Sequence, residues 1–395
     1  MNLIFISREQ YPDGGAPANR HIAYSKGLME LGHKVTFVLL SRQARGEARF
    51  IYEDILFICA DLKHANAETG FFSKLFLQTN LIISAQKTIK TIKKHEGIDA
   101  LFLLTTWNQD LIPLICLNSY LNLKVLHERT EYPFIDSRPG FRGRFDLWLY
   151  LHFIEKKFDG IYVINNMLAN YFRTYLRNKV PVEIINMIVD PGRFETLKRE
   201  KNNHPRYIAY CGVLNSAKDG VDILIESYIA AVKSGRIPDD VGLWLIGEYS
   251  NDLFKSRINN IIFEAALQDK IIFTGRLGRM EVPEYLNNAE ALALARPANK
   301  QSEGGFPTKL GEYLATGKPV IVTNTGEISL FLKDGVNAFI AEPGNVRSFT
   351  DKIVEVFSDY SRAIEIGMNG RKLADTEFNY LKQAEKLANF IMSLK

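Results

Sequence analysis

Short apolar runs alternate with helix-like stretches along the whole chain, and this alternation limits the fold more than any other feature. Residues 2–7, 35–40, 55–59, 100–104, 124–127, 160–164 and 182–185 read as strands in the first half. The series continues at 207–211, 243–246, 271–273, 291–295, 320–323 and 338–340. Helical stretches separate most of them, among them 18–31, 221–233, 252–267, 281–286, 346–357 and 361–394. Such alternation predicts an α/β protein whose parallel sheets are covered by helices on both faces. A chain of 395 residues has room for two domains of this kind. The least regular junction is the charge- and Asn-rich stretch 190–205. The expected domains are therefore 1–190 and 191–375, with a final helix over 376–395 returning to the first. Two doubly wound halves facing a central cleft would bind ligand at the carboxyl ends of their strands.

Composition narrows the class further. With 46% hydrophobic and 24% charged residues the chain is globular rather than disordered. Cys59, Cys116 and Cys211 have no metal-ligand or redox spacing, so a reduced cytoplasmic protein with buried thiols is expected. The N-terminus opens on a strand with no cationic and then apolar leader, and no apolar run reaches the length of a membrane span. The net charge of +4 lies in residues 1–190, with about 23 Lys/Arg against about 19 Asp/Glu. That excess is too small for a nucleic-acid groove. It suits a weak attraction to acidic lipid, and so a peripheral place at the inner face of a membrane. The stretch from Arg138 to Lys157 sets aromatic residues beside arginines, as interfacial helices do. Within it 147–158 is expected to be a helix packed on the sheet, and 138–144 a loop touching lipid or acceptor.

The most specific segment runs from Phe306 to Val322. Gly304 and Gly305 approach it, Pro307 suits the first position of a helix, Gly317 ends that helix, and a buried strand follows. A helix start presents unpaired N–H groups and the positive end of its dipole, which attract anions. Lys309 and Glu312, three residues apart, share a face. A cation and a carboxylate beside an anion site suit a ligand with phosphates and vicinal hydroxyls, such as a nucleotide sugar. An ordinary βαβ unit with a Pro-started helix would have the same outline.

This segment resembles the donor signature of family 4 of the retaining nucleotide-sugar glycosyltransferases, which have the GT-B fold. The resemblance extends over essentially the full length. It implies that Gly14 and Gly15 lie against the donor from the first domain. Gly212 and Lys218 would match the family's pyrophosphate clamp, although Val213 stands where the family has an arginine. Arg296 or Lys309 would then supply the second cation. By the same resemblance Glu312 binds the ribose, with Pro307 and Leu310 completing the donor motif. The backbone amides of Gly305 and Phe306 would stabilise the leaving diphosphate. The family's first glutamate falls on Gly304, so Glu303, one place earlier, would take its role. Arg276 lies in the loop that pairs with the base, and His127 would touch the donor sugar or acceptor. Glu131, Arg138 and Arg142 would hold the acceptor.

The implied reaction is transfer of a sugar from a UDP- or GDP-sugar to a hydroxyl of a saccharide or lipid-linked saccharide, with retained configuration. It would need neither metal nor cofactor and would serve bacterial surface polysaccharide synthesis. The missing arginine and displaced glutamate leave a second reading, a catalytically inactive nucleotide-sugar binder. A nucleotide-sugar epimerase of the same architecture is the third.

Overall fold

A computed structural model of the protein describes residues 1–41, 43, 46–60, 71–135, 139–177, 179–195 and 205–394. The chain divides into two compact units. Met1–Asn186 together with Tyr380–Lys395 form one, and Met187–Asn379 form the other. The divisions fall after Asn186 and after Asn379.

The first unit is built on eight strands: β1 (Asn2–Ser7), β2 (Lys34–Leu39), β3 (Arg49–Tyr52), β4 (Ile55–Cys59), β5 (Ala100–Leu103), β6 (Lys124–Arg129), β7 (Gly160–Val163) and β8 (Val182–Ile184). Their order is β3-β4-β2-β1-β5-β6-β7-β8. All pairs are parallel except β3 with β4. The central strands are buried on both faces, which is why they read as continuous apolar runs. Phe5 stacks between Phe102 and Phe37 at centroid distances of 4.2 and 5.2 Å, and Phe37 on Phe57 at 4.9 Å.

The helix Tyr380–Ser393 packs against the helix Ala16–Glu30 within this unit. Gly27 permits the approach, since a Cβ there would lie 2.6 Å from that of Ala384. The Tyr380 hydroxyl donates to Glu30 at 2.8 Å. Gly160 is similarly fitted to Phe390, whose ring would be 2.8 Å from an added Cβ.

In the second unit six strands follow: β9 (Arg206–Cys211), β10 (Val241–Ile246), β11 (Ile271–Gly275), β12 (Ala291–Leu294), β13 (Val320–Thr323) and β14 (Phe339–Ala341). The order β11-β10-β9-β12-β13-β14 is all parallel and doubly wound. The winding reverses between β9 and β12, where such sheets open a crevice for ligand. This two-sheet α/β architecture is the GT-B fold.

Two expectations need correction. The helix of the 306–322 segment is Lys309–Ala315, so Pro307 precedes it instead of opening it. Gly317 does follow its end in the left-handed region, at φ 70°. Of the three thiols only Cys59 is buried, and Cys116 is exposed.

Candidate functional site

In the second unit the residues proposed for the donor gather around the switch point. β9 ends at Cys211, and Gly212 follows with φ 152°. A Cβ on Gly212 would lie 2.4 Å from Lys309 Nζ and 2.9 Å from the Tyr210 hydroxyl, so the lysine's approach requires glycine there. Lys309 Nζ donates to Asp219 Oδ2 at 2.7 Å and to the Tyr210 hydroxyl at 3.0 Å. The same hydroxyl donates to Asp219 Oδ2 at 2.8 Å. Arg296, at 2% exposure, sets its Nε 3.9 Å from Asp219 Oδ1 and donates it to the Lys218 carbonyl at 3.2 Å. Burial pushes the Lys309 pKa below its usual value although Asp219 opposes the shift. Burial works to raise Asp219, yet Lys309 and then Arg296 hold it below the ordinary carboxylate range. The buried Arg296, the half-buried Lys309 and one carboxylate leave the cluster with one net positive charge.

Lys218 is exposed beside this cluster, and Val213 is 56% exposed. Glu312 Oε1 accepts from Arg193 Nη1 at 2.7 Å, and Arg193 also donates to the Arg279 carbonyl at 3.0 Å. Glu303 pairs instead with Lys300 at 2.7 Å, in the helix Lys300–Gly304. The Gly305 amide donates to the Gln301 carbonyl at 3.0 Å. It closes that helix, so it is not aimed at a leaving group. Phe306 is buried against Phe331 and Phe378 at 5.7 and 5.8 Å between ring centroids. Pro307 and Leu310 are buried, and Arg276 is exposed just beyond β11.

The first unit places its candidates differently from expectation. β6 continues through Glu128 and Arg129 instead of ending at His127. Successive strand residues point to opposite faces, and the contacts follow that rule. His127 is fully buried, donating Nδ1 to the Leu103 carbonyl at 2.7 Å and stacking on Phe158 at 4.6 Å. Burial, reinforced by Arg129, holds its pKa down to about 3, so the ring is neutral. With no accessible surface, His127 offers no contact to a sugar in this arrangement. Glu128 turns to the opposite face and accepts from Arg20 at 2.7 Å and from His21 at 2.9 Å. Burial favours its neutral form, but Arg20 and His21 bring the pKa to about 2.

Gly14 is fixed by crowding, since a Cβ there would stand 2.1 Å from the Gln10 carbonyl oxygen, and Gly15 has φ 77°. The Glu131 carbonyl accepts from Arg129 at 3.3 Å. Arg142 is exposed, and Arg138 lies outside the described residues.

The sequence profile of the family described as glycosyl transferases group 1 matches residues 205–359, which include β9 to β14 and the Lys309–Asp219 cluster. Over those residues the chain matches the group 1 glycosyltransferases. An uncharacterized glycosyltransferase of Methanocaldococcus jannaschii is 25% identical over 303 residues, 76% of this chain and 77% of its own. The amylovoran biosynthesis glycosyltransferase AmsK of Erwinia amylovora is 22% identical over 250 residues, 61% of this chain and 59% of its own. Among solved structures, Anabaena HepE in complex with UDP and glucose superposes with a TM-score of 0.72 at 15% identity. That superposition covers 100% of each chain, and at such identity it bears on the fold.

Sequence reasoning missed three residues that organise the candidate site. Asp219, Tyr210 and Arg193 hold the charged groups that the motif did name. Asp219 follows Lys218 directly, and a buried lysine such as Lys309 needs a carboxylate partner. That requirement is the one signal that could have led to it.

Proposed function

We propose that the chain is a retaining glycosyltransferase that takes its sugar from a nucleoside-diphosphate donor bound by the second unit. The observation that carries this reading is the net positive cluster of Asp219, Lys309 and Arg296 at the switch point. A diphosphate is the complementary ligand, and preorganised positive charge stabilises it most as the leaving group develops. Because Asp219 engages Lys309 and lies beside the buried Arg296, the direct diphosphate contact falls to the exposed Lys218, with the Arg296 charge behind it. Arg193 keeps Glu312 oriented as the acceptor of ribose hydroxyls. The acceptor hydroxyl would attack from the leaving-group side, so the diphosphate itself serves as the base. UDP is the first donor nucleotide to test, with GDP next, and the acceptor is a saccharide or lipid-linked saccharide of a surface polysaccharide.

Thermal unfolding with UDP, GDP, ADP and CMP, each with and without magnesium, tests the donor assignment. A nucleotide at a hundred times its dissociation constant adds about 2.7 kcal/mol of stability. One diphosphate should raise the midpoint equally with and without the metal. No shift with any of them would favour a protein that does not use a nucleotide sugar.

We also propose that the first unit rests on an anionic membrane surface. No described helix is long and apolar enough to cross a membrane. The helix Gly140–Leu149 instead begins where a loop was expected and leads into a π-helical turn at Tyr150–Ile154. One side buries Tyr150, Ile154 and Phe158. The other leaves Phe141, Phe145, Trp148 and Phe153 at 78, 51, 46 and 53% exposure. Trp148 lies 5.9 Å from Phe145 and 5.3 Å from Phe153 between ring centroids, forming a continuous aromatic ridge. Arg142, Arg144, Lys156 and Lys157 are exposed along the same segment. Each basic residue near acidic lipid contributes about 1 kcal/mol. The protein should sediment with phosphatidylglycerol vesicles and not with phosphatidylcholine alone, and Trp148→Asp should weaken that binding. Equal sedimentation with both lipids would argue against the charge-driven surface.

A further inference from the structure

The first unit has its own cavity, of about 140 Å³, beyond the carboxyl ends of β5 and β6. A single enclosed water needs roughly 10–15 Å³ on the same kind of measure, so there is room for a sugar ring. Trp107, Asn108 and Gln109 line it after β5, Arg129 lines it from the end of β6, and Asp146 and Tyr150 close it from the following helical segment.

Trp107 is 44% exposed, yet it is held firmly. The Arg8 guanidinium lies 4.5 Å over its ring. Arg8 in turn donates Nε and Nη2 to the two oxygens of Asp110, at 2.5 and 2.7 Å. Asp110 is fully buried and also accepts from Thr105 at 2.8 Å. A buried ion pair that fixes an exposed indole makes a rigid aromatic platform. Such a face suits the C–H side of a pyranose, while Asn108, Gln109 and Asp146 are suited to its hydroxyls.

Arg129 supplies the positive charge of the cavity, and the Asp146 carboxyl lines the same cavity. It is 2% exposed, its guanidinium 5.4 Å over the Tyr150 ring, so it forms the floor. The nearby Glu155 carboxyl is kept largely neutral near neutral pH, because burial pushes its pKa up to about 8 against the pull of Arg129. Both Glu155 oxygens are buried, which favours the neutral form.

We propose that this cavity is the acceptor subsite and takes a pyranose bearing an acidic group, with the ring against Trp107 and the carboxylate or phosphate toward Arg129. The assignment to the acceptor rests on the glycosyltransferase reading above, but binding of the acidic sugar can be tested without turnover. Methyl glucuronide, glucose 6-phosphate and methyl glucoside are titrated into the whole protein and followed by indole NMR and fluorescence. At least one acidic sugar should bind about tenfold more tightly than the glucoside, a difference of roughly 1.4 kcal/mol. Which acid is preferred tells a sugar carboxylate from a sugar phosphate.

Trp107→Ala should weaken every sugar, and Arg129→Met should remove the preference for acid. Arg8→Met, which acts through Trp107, should raise KM for the acceptor and leave kcat unchanged. UDP-induced stabilisation is measured on each variant as a check on the fold and on the donor site. Equal binding of glucoside and both acids, or no binding of any sugar at its solubility limit, overturns the proposal. If Arg129→Met does not fold, the wild-type preference and the exposed Trp107→Ala still decide. Loss of sugar selectivity with UDP stabilisation intact counts against this cavity alone. Absence of stabilisation by UDP and by GDP, ADP and CMP alike in the wild type counts against the glycosyltransferase reading itself.

Discussion

Replacing Asp219 with alanine is expected to destabilise the second unit by about 3–5 kcal/mol, the usual cost of leaving a buried charge without its partner. Lys309 Nζ at 2.7 Å would lose its carboxylate, and Arg296 the carboxylate oxygen 3.9 Å from its Nε. The variant's dependence on pH should fall in a different range from that of the wild type, although stability rises with pH in both. In the wild type Asp219 has a depressed pKa, so its contribution is complete above the ordinary carboxylate value. It is lost as pH falls through the lower, folded value. In the variant the buried Lys309 amine gives up its proton more easily, while the unfolded chain keeps that proton up to about 10.4. The variant should therefore grow more stable as pH rises toward that value. Urea denaturation of both proteins across pH checks this, and unchanged midpoints would mean that the cluster does not hold the fold together.

The second large effect falls on turnover. Lys218→Ala and Glu312→Ala should each lower the transfer rate about 100- to 1000-fold, the range observed when one preorganised group at a developing charge is removed. The two should differ in stability. Lys218 is exposed, so its loss should leave the denaturation midpoint near that of the wild type. Removing Glu312 takes the carboxylate from Arg193, which is 11% exposed, and should cost about 1–3 kcal/mol. Near-normal transfer by either variant, measured with the nucleotide sugar that stabilises the protein, would overturn that residue's role.

Much of the fold could be read directly, because strands buried on both faces must be apolar throughout. β9 to β14 and most of the first sheet announce themselves in this way. β3 does not. It joins β4 through Glu53 and Asp54, both at positive φ (47° and 62°), with neither the glycine nor the asparagine that usually marks such a turn. Charged strand ends mislead for a related reason. Glu128 and Arg129 look like a loop, yet each is buried and engaged, Glu128 by Arg20 and His21, Arg129 by Tyr150. Such partners lie about a hundred residues away or on another element, and local pattern carries no trace of them. The Phe306–Val322 segment points to the neighbourhood of the Lys309–Asp219 cluster. It could not show that Lys309 would be taken by Asp219, nor that the Gly305 amide would close a short helix.

The first unit is written in two pieces of chain, with the second unit complete between them. The helix Tyr380–Ser393 supplies Ala384 against Gly27 and Phe390 against Gly160, and the Leu394 carbonyl receives Lys124 Nζ at 2.5 Å. During synthesis the second unit therefore has all its residues before the first one does. Sheet one must wait, with the flank beside Gly27 and Gly160 uncovered, until the ribosome has delivered residues 380–394. For that interval the amino-terminal part of the nascent chain presents an apolar surface to whatever chaperones surround it.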